Sequence, residues 1–380
     1  MTHNGEIPRR IVLATHYYAT GPAFDLESYL QPKIDRLLFI AHPLFAGGGP
    51  SYARTYETGR LARTEEKPAP KHPARYLTDF WRTVRWADGT SDLFIAGDPL
   101  LALAGLFVRR RGRVRRLVLY SIDYSPRRFA NPLLNRVYHL IDRLAARHAD
   151  IVWNVSPAIA TARRERDGRE AAPQIVVPLG TNFERIPRSS APPSTPRLAF
   201  LGHLLEKQGL QLAIETLASV RQHMPAVTLL VLGDGPYRAS LQQLATDRGL
   251  AAAVEFAGFI DDHREVERRL AACTLGLAPY VPDPESFTRF ADPGKIKTYL
   301  ACGLPVILTD VPPIARMLEQ RGAGRIVAYE AKALAQAILD YLGDPPRLER
   351  ARAAAIELGA EFSWERVFGD AFTASAAYLR

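Results

Sequence analysis

Short apolar runs alternate with longer segments of helical periodicity along the whole chain. The first half has such runs at residues 11–14, 37–40, 94–96, 117–121, 151–155 and 174–177. The second half has them at residues 198–201, 228–232, 254–256, 275–278, 306–308 and 326–327. Regular alternation of strands and helices predicts an α/β fold class, with two Rossmann-like domains facing each other across a cleft. The loops after the strands would hold the ligand in that cleft.

A segment rich in proline and serine separates the two sets of strands. Residues 186–196, IPRSSAPPSTP, contain four prolines and three serines and have no apolar period, which is typical of a linker. We therefore predict an N-terminal domain over residues 1–185 and a C-terminal domain over residues 197–361. The remaining residues, 362–380, are predicted to form a last helix. Residues 45–73 are rich in glycine, proline and charge and are predicted to be a loop.

One stretch, FADPGKIKTYLACGLPVILT over residues 290–309, combines a loop, a short helix and a buried strand. Asp292 is predicted to cap the helix and Pro293 to occupy its first position. Gly303 is predicted to end the helix in a left-handed conformation, before the buried strand. Because Lys295 lies in the first turn, this helix N-terminus suits a phosphate. An ordinary helix–strand unit with a solvated lysine explains the stretch equally well.

The net charge of +9 is unevenly distributed. Residues 1–190 hold 29 Lys and Arg against 18 Asp and Glu, whereas residues 191–380 hold 20 against 22. The first half therefore carries the whole positive excess, which favours an anionic partner. Six arginines fall between Arg109 and Arg116, beside an apolar helix, which suits anionic lipid headgroups. Nucleic acid is not expected as a partner, since the chain contains no recognised nucleic-acid-binding motif.

Aromatic and basic residues are interleaved at helical spacing in RYLTDFWRTVRW, residues 75–86. This pattern suits a membrane surface, although packing of the aromatic rings into the core is the favoured alternative. Cys273 and Cys302 provide neither a disulfide framework nor a metal-ligand spacing. Two thiols and no signal peptide indicate a cytoplasmic protein. With its basic first half, we expect it to be peripheral on the inner face of the membrane.

Four segments of the second half resemble the nucleotide-sugar-binding domain of a large enzyme family. They are LAFLGHLLEKQGL (198–210), LLVLGDGPYRASL (229–241), VEFAGFI (254–260) and PGKIKTYLACGLPVILT (293–309). Weaker counterparts in the first half are ADIVWNVSPAI (149–159) and IVVPLGTNF (175–183). The chain thus resembles the retaining glycosyltransferases of the two-Rossmann-domain GT-B architecture, often called family 4 or group 1. The resemblance implies that the last helix crosses back to the first domain.

The resemblance also implies a metal-independent site for a nucleoside-diphosphate sugar. The backbone at Gly202 would approach the donor diphosphate, and Lys207 would act in catalysis by neutralising the departing diphosphate. The expected donor-binding residues are Gly202, His203, Lys207, Gly233, Gly235, Phe259, Ile260, Glu285, Gly294, Lys295 and Thr298. No Asp-x-Asp motif occurs in the sequence, so no metal is expected. The UDP- or GDP-linked sugar is a substrate, and no separate cofactor is expected.

Two donor-site positions depart from the family pattern. The family normally has two glutamates eight residues apart, and Phe290 and Thr298 occupy the matching positions. Thr298 would keep one hydrogen bond to the ribose, and Glu285 would substitute from a shifted loop. In addition, His203 replaces the customary arginine after Gly202.

The first half lacks a histidine at the family's usual catalytic position after the fourth strand. Asp123 lies in that neighbourhood, and His16 is the nearest histidine, so both are predicted to be catalytic. The alternatives are that Asp123 only caps a turn and that His16 is a crevice histidine with satisfied hydrogen bonds.

The predicted function is that of a retaining hexosyltransferase, which moves a sugar from a nucleotide-diphosphate donor to a hydroxyl acceptor in glycan or glycolipid synthesis. The C-terminal domain would bind the donor. The basic N-terminal domain would bind an acceptor that is lipid-linked or otherwise anionic. Two alternatives stay open. The missing glutamates favour a non-catalytic subunit that supports a partner transferase, and a nucleotide-sugar epimerase would use the same architecture.

Overall fold

The computed structural model describes residues 7–17, 21–44, 48–69, 75–122, 124, 127–167, 172–188, 193, 195–283 and 290–380. The chain forms two compact units, of which the first comprises Met1–Pro178 with Trp364–Arg380 and the second Leu179–Ser363. Each unit contains its own largely parallel sheet, packed against helices around a buried apolar core. The predicted α/β class with two parallel-sheet domains is confirmed.

The first unit contains an eight-stranded sheet. Its strands are β1 (Arg10–Tyr17), β2 (Arg36–Pro43), β3 (Ser51–Glu57), β4 (Arg60–Lys67), β5 (Ser91–Ala96), β6 (Val114–Ser121), β7 (Ile151–Asn154) and β8 (Gln174–Val176). They lie in the order β4-β3-β2-β1-β5-β6-β7-β8, with antiparallel pairing only at β2–β3 and β3–β4. Its helices are α1 (Pro22–Leu30), α2 (Arg75–Trp86), α3 (Pro99–Arg110), α4 (Pro132–His148), α5 (Pro157–Asp167) and α13 (Trp364–Leu379).

Strands β3 and β4 correct the prediction that residues 45–73 form a loop. Ser51, Ala53 and Tyr56 of β3 are buried, so this strand has the alternation of a half-buried strand. Charged and exposed residues dominate β4, as is usual for an edge strand that must not pair further. The turn between the two strands has positive φ at Thr58 and Gly59, 46° and 81°, which matches the twist of a tight hairpin.

The second unit contains a six-stranded parallel sheet. Its strands are β9 (Arg197–Leu201), β10 (Thr228–Leu232), β11 (Val254–Gly258), β12 (Leu275–Ala278), β13 (Val306–Leu308) and β14 (Gly324–Ile326). Their order is β11-β10-β9-β12-β13-β14. Its α-helices are α6 (Leu210–His223), α7 (Arg238–Asp247), α8 (His263–Ala271), α9 (Gly294–Ala301), α10 (Ala315–Gln320), α11 (Ala331–Leu342) and α12 (Pro345–Glu361). The order reverses beside β9, which is where ligands bind in such sheets.

Helix α9 begins differently from the prediction. Pro293 is the N-cap and Gly294 the first helical residue, and no side chain caps the helix. The carboxylate of Asp292 instead accepts a hydrogen bond from the N–H of Leu179 at 2.6 Å and pairs with the buried ammonium of Lys297. The predicted cap at Asp292 and the predicted helical position of Pro293 are therefore wrong. The left-handed conformation of Gly303, with φ of 77°, is confirmed, as is the buried strand that follows it.

Helix α13 packs within the first unit. The indole Nε1 of Trp153 on β7 donates a hydrogen bond to Ser375 Oγ at 2.9 Å. The ring of Phe372 meets Trp153 edge-on at 5.3 Å and stacks with Tyr29 of α1 at 6.4 Å. The C-terminal segment therefore contributes aromatic side chains to the core of the first unit.

Helix α2 exposes some of its aromatic residues and buries others. Trp86 is 8% exposed and packs in the core, as the favoured interpretation of this helix expects. Tyr76 and Trp81, however, are 41% and 53% exposed. The interpretation of α2 as a helix that packs its aromatic rings into the core is therefore correct only for part of the helix.

Candidate functional site

The carboxyl ends of three adjacent parallel strands of the second unit are joined by backbone hydrogen bonds. The N–H of Gly202, after β9, donates to the carbonyl of Leu232 at 2.9 Å. The N–H of Gly233, after β10, donates to the carbonyl of Gly258 at 2.8 Å. The carboxyl ends of β9, β10 and β11 therefore form one continuous backbone surface, which we call the glycine surface. It lies at the carboxyl end of the sheet, where α/β folds bind ligands.

Glycine is required at three positions of this surface. Gly202 and Gly233 have φ of 143° and 136°, conformations that other residues rarely adopt. A Cβ on Gly233 would lie 2.0 Å from the carbonyl oxygen of Gly202, and one on Gly235 would lie 2.5 Å from that of Leu204. Side chains are thus excluded here because backbone packs directly against backbone.

Lys295, in the first turn of α9, lies beside Gly202. A Cβ on Gly202 would be 3.1 Å from the Lys295 Nζ, and this Nζ donates a hydrogen bond to Gln208 Oε1 at 2.7 Å. The ammonium also lies over the rings of Phe200 and Tyr280, at 4.5 and 4.7 Å from their centroids. Within the described part of the chain, no carboxylate forms an ion pair with Lys295.

Burial lowers the pKa of Lys295 from its ordinary value to about 7. The cause is the loss of water around the charged form, with no carboxylate to compensate. Such an ammonium is held charged by an incoming anion. Lys295 is therefore a buried lysine in the first turn of a helix, and its charged form would be favoured by an anion bound beside it.

Lys207 lies in a single 3₁₀ turn, Glu206–Gln208. It directly precedes Gln208, which accepts the hydrogen bond from Lys295. The next residue, Gly209, has φ of 76°, and a Cβ there would overlap the carbonyl of Pro279. This turn is thus pressed against the segment after β12, where the carbonyl of Lys207 accepts a hydrogen bond from the N–H of Val281 at 3.1 Å. Burial lowers the pKa of the Lys207 ammonium, and Asp283 opposes that shift.

The other predicted donor-site residues lie around this surface with less defined contacts. His203 is exposed, and Phe259, directly after Gly258, is 73% exposed. Ile260 is partly buried against the apolar core. The Thr298 hydroxyl donates to the carbonyl of Gly294 at 3.2 Å, one turn earlier in α9. Glu285 lies outside the residues that the structure describes.

Two residues that the sequence analysis did not select help to hold the surface. Gln208 orients Lys295, as given above, and Tyr299 ties α9 to the sheet. The Tyr299 hydroxyl accepts from the N–H of Leu201 at 2.5 Å and donates to the carbonyl of Leu277 at 3.3 Å. Both residues fall inside the segments that carry the family resemblance, but their partners are distant in the sequence.

His16 of the first unit lies at the carboxyl end of β1, between two carboxylates. Its Nδ1 is 2.7 Å from Asp98 Oδ2, and its Nε2 is 3.6 Å from Asp79 Oδ2. Asp98 also caps α3, accepting from the N–H groups of Leu100 and Leu101 at 3.0 Å. Burial alone would lower the pKa of His16, but the two carboxylates outweigh it and raise the pKa to about 10.

His42 completes this cluster from the neighbouring strand, in register with His16. Its Nδ1 is 3.4 Å from Asp79 Oδ1, its Nε2 is 2.9 Å from Thr83 Oγ1, and its ring stacks on Trp86. Burial and the charge of His16 lower the pKa of His42 to about 4. The cluster thus combines an imidazolium at position 16 with a neutral imidazole at position 42. A protonated His16 is unsuited to accept a proton, and its charge is already compensated by Asp98 and Asp79.

Three further observations bear on the predicted chemistry. Asp123, predicted to be catalytic, lies outside the described residues. Among the described residues, no group of three or more His, Cys, Asp or Glu side chains is arranged to hold a metal ion. In the same part of the chain, every helix is too short or too polar to cross a membrane.

Two protein families match most of the chain. The family described as Glycosyl transferases group 1 matches residues 195–344, and the one described as Glycosyl transferase 4-like domain matches residues 39–180. The first match contains the glycine surface and both lysines, and the second contains His42 and most of the first sheet.

Individual relatives are glycosyltransferases with different named substrates. A GDP-mannose-dependent alpha-(1-6)-phosphatidylinositol dimannoside mannosyltransferase of Mycobacterium tuberculosis is 29% identical over 251 residues, which are 63% of this chain and 62% of that protein. A 2-deoxystreptamine glucosyltransferase of Streptomyces kanamyceticus is 24% identical over 297 residues, 74% of each chain. The chain matches less than two thirds of the length of the mycobacterial relative.

Solved structures with the same fold include complexes with nucleotide sugars. Anabaena Alr3699/HepE in complex with UDP-glucose has a TM-score of 0.70 at 20% identity. The matched residues make up 97% of this chain and 99% of the Anabaena chain. WaaG, a glycosyltransferase involved in lipopolysaccharide biosynthesis, has a TM-score of 0.66 at 15% identity, with coverage of 95% and 99%. These likenesses bear out the predicted GT-B fold class. With two family matches over most of its length, the chain belongs to the group 1 glycosyltransferases.

Proposed function

We propose that this glycosyltransferase transfers a sugar, with retention of configuration and without a metal ion, from a nucleoside-diphosphate sugar to a hydroxyl acceptor. The observation that carries the proposal is the Lys295 ammonium beside the backbone of Gly202. It is a desolvated cation without a carboxylate partner in the described chain, beside the backbone of Gly202. A diphosphate supplies the charge that this arrangement lacks.

In the proposed reaction, the second unit stabilises the leaving group. As the bond to the sugar breaks, negative charge grows on the nucleoside diphosphate. Lys295, Lys207 and the N–H groups at the start of α9 would meet that charge as fixed cations and dipoles. In the first unit, Asp98 and Asp79 keep His16 protonated and compensate its charge, so His16 would act as a hydrogen-bond donor to the acceptor and not as a general base.

The donor is proposed to be UDP- or GDP-linked. The Anabaena structure carries UDP-glucose, and the mycobacterial relative is named as dependent on GDP-mannose. The nucleobase would lie against the loops after β10 and β11, near Gly235 and Ile260, where Phe259 provides an exposed ring. Calorimetry with UDP and GDP measures this preference directly.

The acceptor is proposed to be lipid-linked or otherwise anionic, and the first unit to touch a membrane surface. Helix α3 packs against both α2 and α4. On the outer side of α4, an apolar stripe is 40% to 69% exposed and consists of Leu133, Leu134, Val137, Leu140 and Leu144. The exposed arginines of the same helix are Arg136, Arg143 and Arg147. An apolar stripe bordered by cations favours the interface of an anionic membrane.

Vesicle sedimentation tests the membrane contact. Replacement of Leu133 and Val137 by glutamine should reduce binding to anionic vesicles, because two apolar side chains leave the stripe. Met317 on α10, 45% exposed in the second unit, provides a matched control when replaced by glutamine. Equal binding of the L133Q/V137Q and M317Q variants would remove the support for this contact.

Turnover assays test the transferase itself. Lys207→Ala and Lys295→Ala should each lower donor turnover by at least about 100-fold while the fold is kept, as loss of one transition-state donor does elsewhere. The anomeric configuration of the product, read by NMR, tests retention. Full activity of both variants would contradict the proposed leaving-group role.

One observation favours a second candidate, a non-catalytic subunit. The Thr298 hydroxyl is engaged with the carbonyl of Gly294 and carries no charge, so it cannot replace a carboxylate that grips a ribose diol. Binding of UDP or GDP without donor hydrolysis or transfer would support this candidate over the enzyme.

A further inference from the structure

A cavity of about 660 Å³ lies in the first unit, apart from the residues that the proposed function uses. Strands β2, β3 and β4, the C-terminal end of α2 and the turn between α3 and β6 form its walls. Five arginines line it, namely Arg36, Arg63, Arg85, Arg111 and Arg113. This is a concentration of guanidinium groups that ordinary packing does not require.

The charges of the cavity are largely uncompensated. Arg63 pairs with Glu65 at 2.8 Å. The other four arginines have no carboxylate partner within ion-pair distance among the described residues. Asp88 is the remaining acidic residue in the wall, so the lining keeps a net positive charge. Such a wall attracts anions more strongly than an exposed surface does, because it is partly shielded from water.

Arg36 adds a second observation about this wall. Its Nε is buried and has no hydrogen-bond partner among the described residues. The guanidinium is held close to the backbone, since a Cβ on Gly89 would lie 2.7 Å from its Nη1. Buried donors are nearly always paired in proteins, so the guanidinium of Arg36, which lines the cavity, keeps unused hydrogen-bonding capacity; its Nε is itself shielded from the cavity.

The arginine-rich segment Arg109–Arg116 is divided between two tasks. Arg109 and Arg116 bind Asp150, at 2.8 and 3.1 Å, and so stabilise the fold. Arg111 and Arg113 instead line the cavity. The segment is therefore not uniformly solvated. Two of its arginines, Arg111 and Arg113, line the same cavity.

Aromatic side chains complete the wall and separate it from the His16 cluster. Trp81 is 53% exposed and presents an indole surface at the cavity. Trp86 also lines the cavity, and its opposite side stacks on His42. Arg36 lies about 20 Å from His42 along β2, at the amino end of the strand. The cavity therefore lies at the amino end of β2, opposite the carboxyl ends of the parallel strands, where the reacting ligands are proposed to bind.

From this arrangement we infer that the cavity is a second binding site, for a small saccharide that carries phosphate groups. The planar guanidinium fork matches phosphate oxygens two at a time, and four such forks exceed what one anionic group needs. The exposed indole offers a flat surface for the C–H face of a sugar ring. The volume is that of a typical small-ligand site.

Calorimetry with the full chain tests this inference. Fructose 1,6-bisphosphate is the probe, with fructose and inorganic phosphate as its uncharged and ring-free parts. We expect the bisphosphate to bind more tightly than either part. The R36Q/R113Q variant should weaken that binding by about tenfold or more, since charge-assisted hydrogen bonds are lost. The R110Q/R115Q variant, from the same segment but outside the wall, should bind like the unchanged protein.

Further variants keep the test decisive. If R36Q/R113Q fails to fold, R85Q/R111Q changes the exposed rim and should also weaken binding. K207A/K295A should keep it, so a failure of the donor-site proposal is distinguishable from a failure here. Absence of bisphosphate binding, or equal binding by R36Q/R113Q, overturns the inference. Arginine-dependent binding only to phosphatidylglycerol vesicles, with none to the soluble probe, overturns the saccharide and leaves a lipid phosphate as the ligand. If the arginines of the cavity only compensate the helix dipoles at the C-terminal ends of α2 and α3, neither the bisphosphate nor the vesicles should bind, which also overturns the inference.

Discussion

The protonation of Lys295 makes donor binding depend on pH in a defined direction. Burial lowers the pKa of this ammonium to about 7 in the empty site. A diphosphate binds the charged form, which is fully present below that pKa and is lost as the pH rises through it. With a pKa of about 7, roughly half of the lysines are charged at about pH 7, and roughly 1% at about pH 9. The affinity for UDP or GDP should therefore fall by about 50-fold over this range, about 2.3 kcal/mol.

Calorimetric titration of the nucleotide between about pH 7 and about pH 9 measures this effect. The terminal phosphate of a nucleoside diphosphate titrates near pH 6, so it is already about 90% ionised at about pH 7 and its charge changes little over the chosen range. Repeating the titrations in buffers of different ionisation enthalpy counts the protons taken up. Uptake should approach one proton per nucleotide at the upper end of the range, because the lysine must be recharged on binding.

Two variants separate Lys295 from other sources of pH dependence. Lys295→Met should bind more weakly at about pH 7 and should lose the proton uptake. Lys332→Ala changes an exposed lysine on α11 and should leave both quantities as they are. An affinity that stays constant from about pH 7 to about pH 9, or proton uptake that persists in Lys295→Met, would refute the assignment of Lys295 to the diphosphate.

Three further predictions concern residues whose contacts maintain the local structure of the second or the first unit. Gly233→Ala places a Cβ 2.0 Å from a carbonyl oxygen and should abolish nucleotide binding, whereas Gly249→Ala meets no neighbour and should cost only about 1 kcal/mol in urea unfolding. Asp142→Ala leaves the fully buried guanidinium of Arg163 without its bidentate carboxylate and should lower the free energy of unfolding by about 3–5 kcal/mol. Asp98→Asn should lower the pKa of His16 from about 10 toward its ordinary value, as NMR titration of the imidazole would show; an unchanged titration would contradict the ion pair.

The strands of the second unit were predictable because they are buried on both faces. The runs at residues 229–232 and 306–308 are continuous apolar segments, and no alternative structure fits such short runs between glycines and prolines. Strands β3 and β4 were missed for the opposite reason. Their outward faces carry arginine, threonine and glutamate, and an edge strand has no apolar run by which it could be identified.

The candidate site was predictable where its geometry is local. The glycines that follow β9 and β10 are visible in the sequence because positive φ and close approach leave glycine as the only residue. The role of Asp292 was not visible, since its partner Leu179 is 113 residues away. The charge state of His16 was equally hidden, because it depends on Asp79 from α2 and on Asp98 from the start of α3.

The choice of lysine at position 295 is informative in a chain of 42 arginines and 7 lysines. An arginine beside Gly202 would stay charged in the empty site, since its pKa is too high to be lost on burial. The free-energy cost of desolvating that charge would then lower the stability of the unliganded protein. A lysine can release its proton when the site is empty and regain it with the ligand. In the proposed function, the empty site is therefore close to neutral, and the cation forms when the diphosphate that needs it arrives.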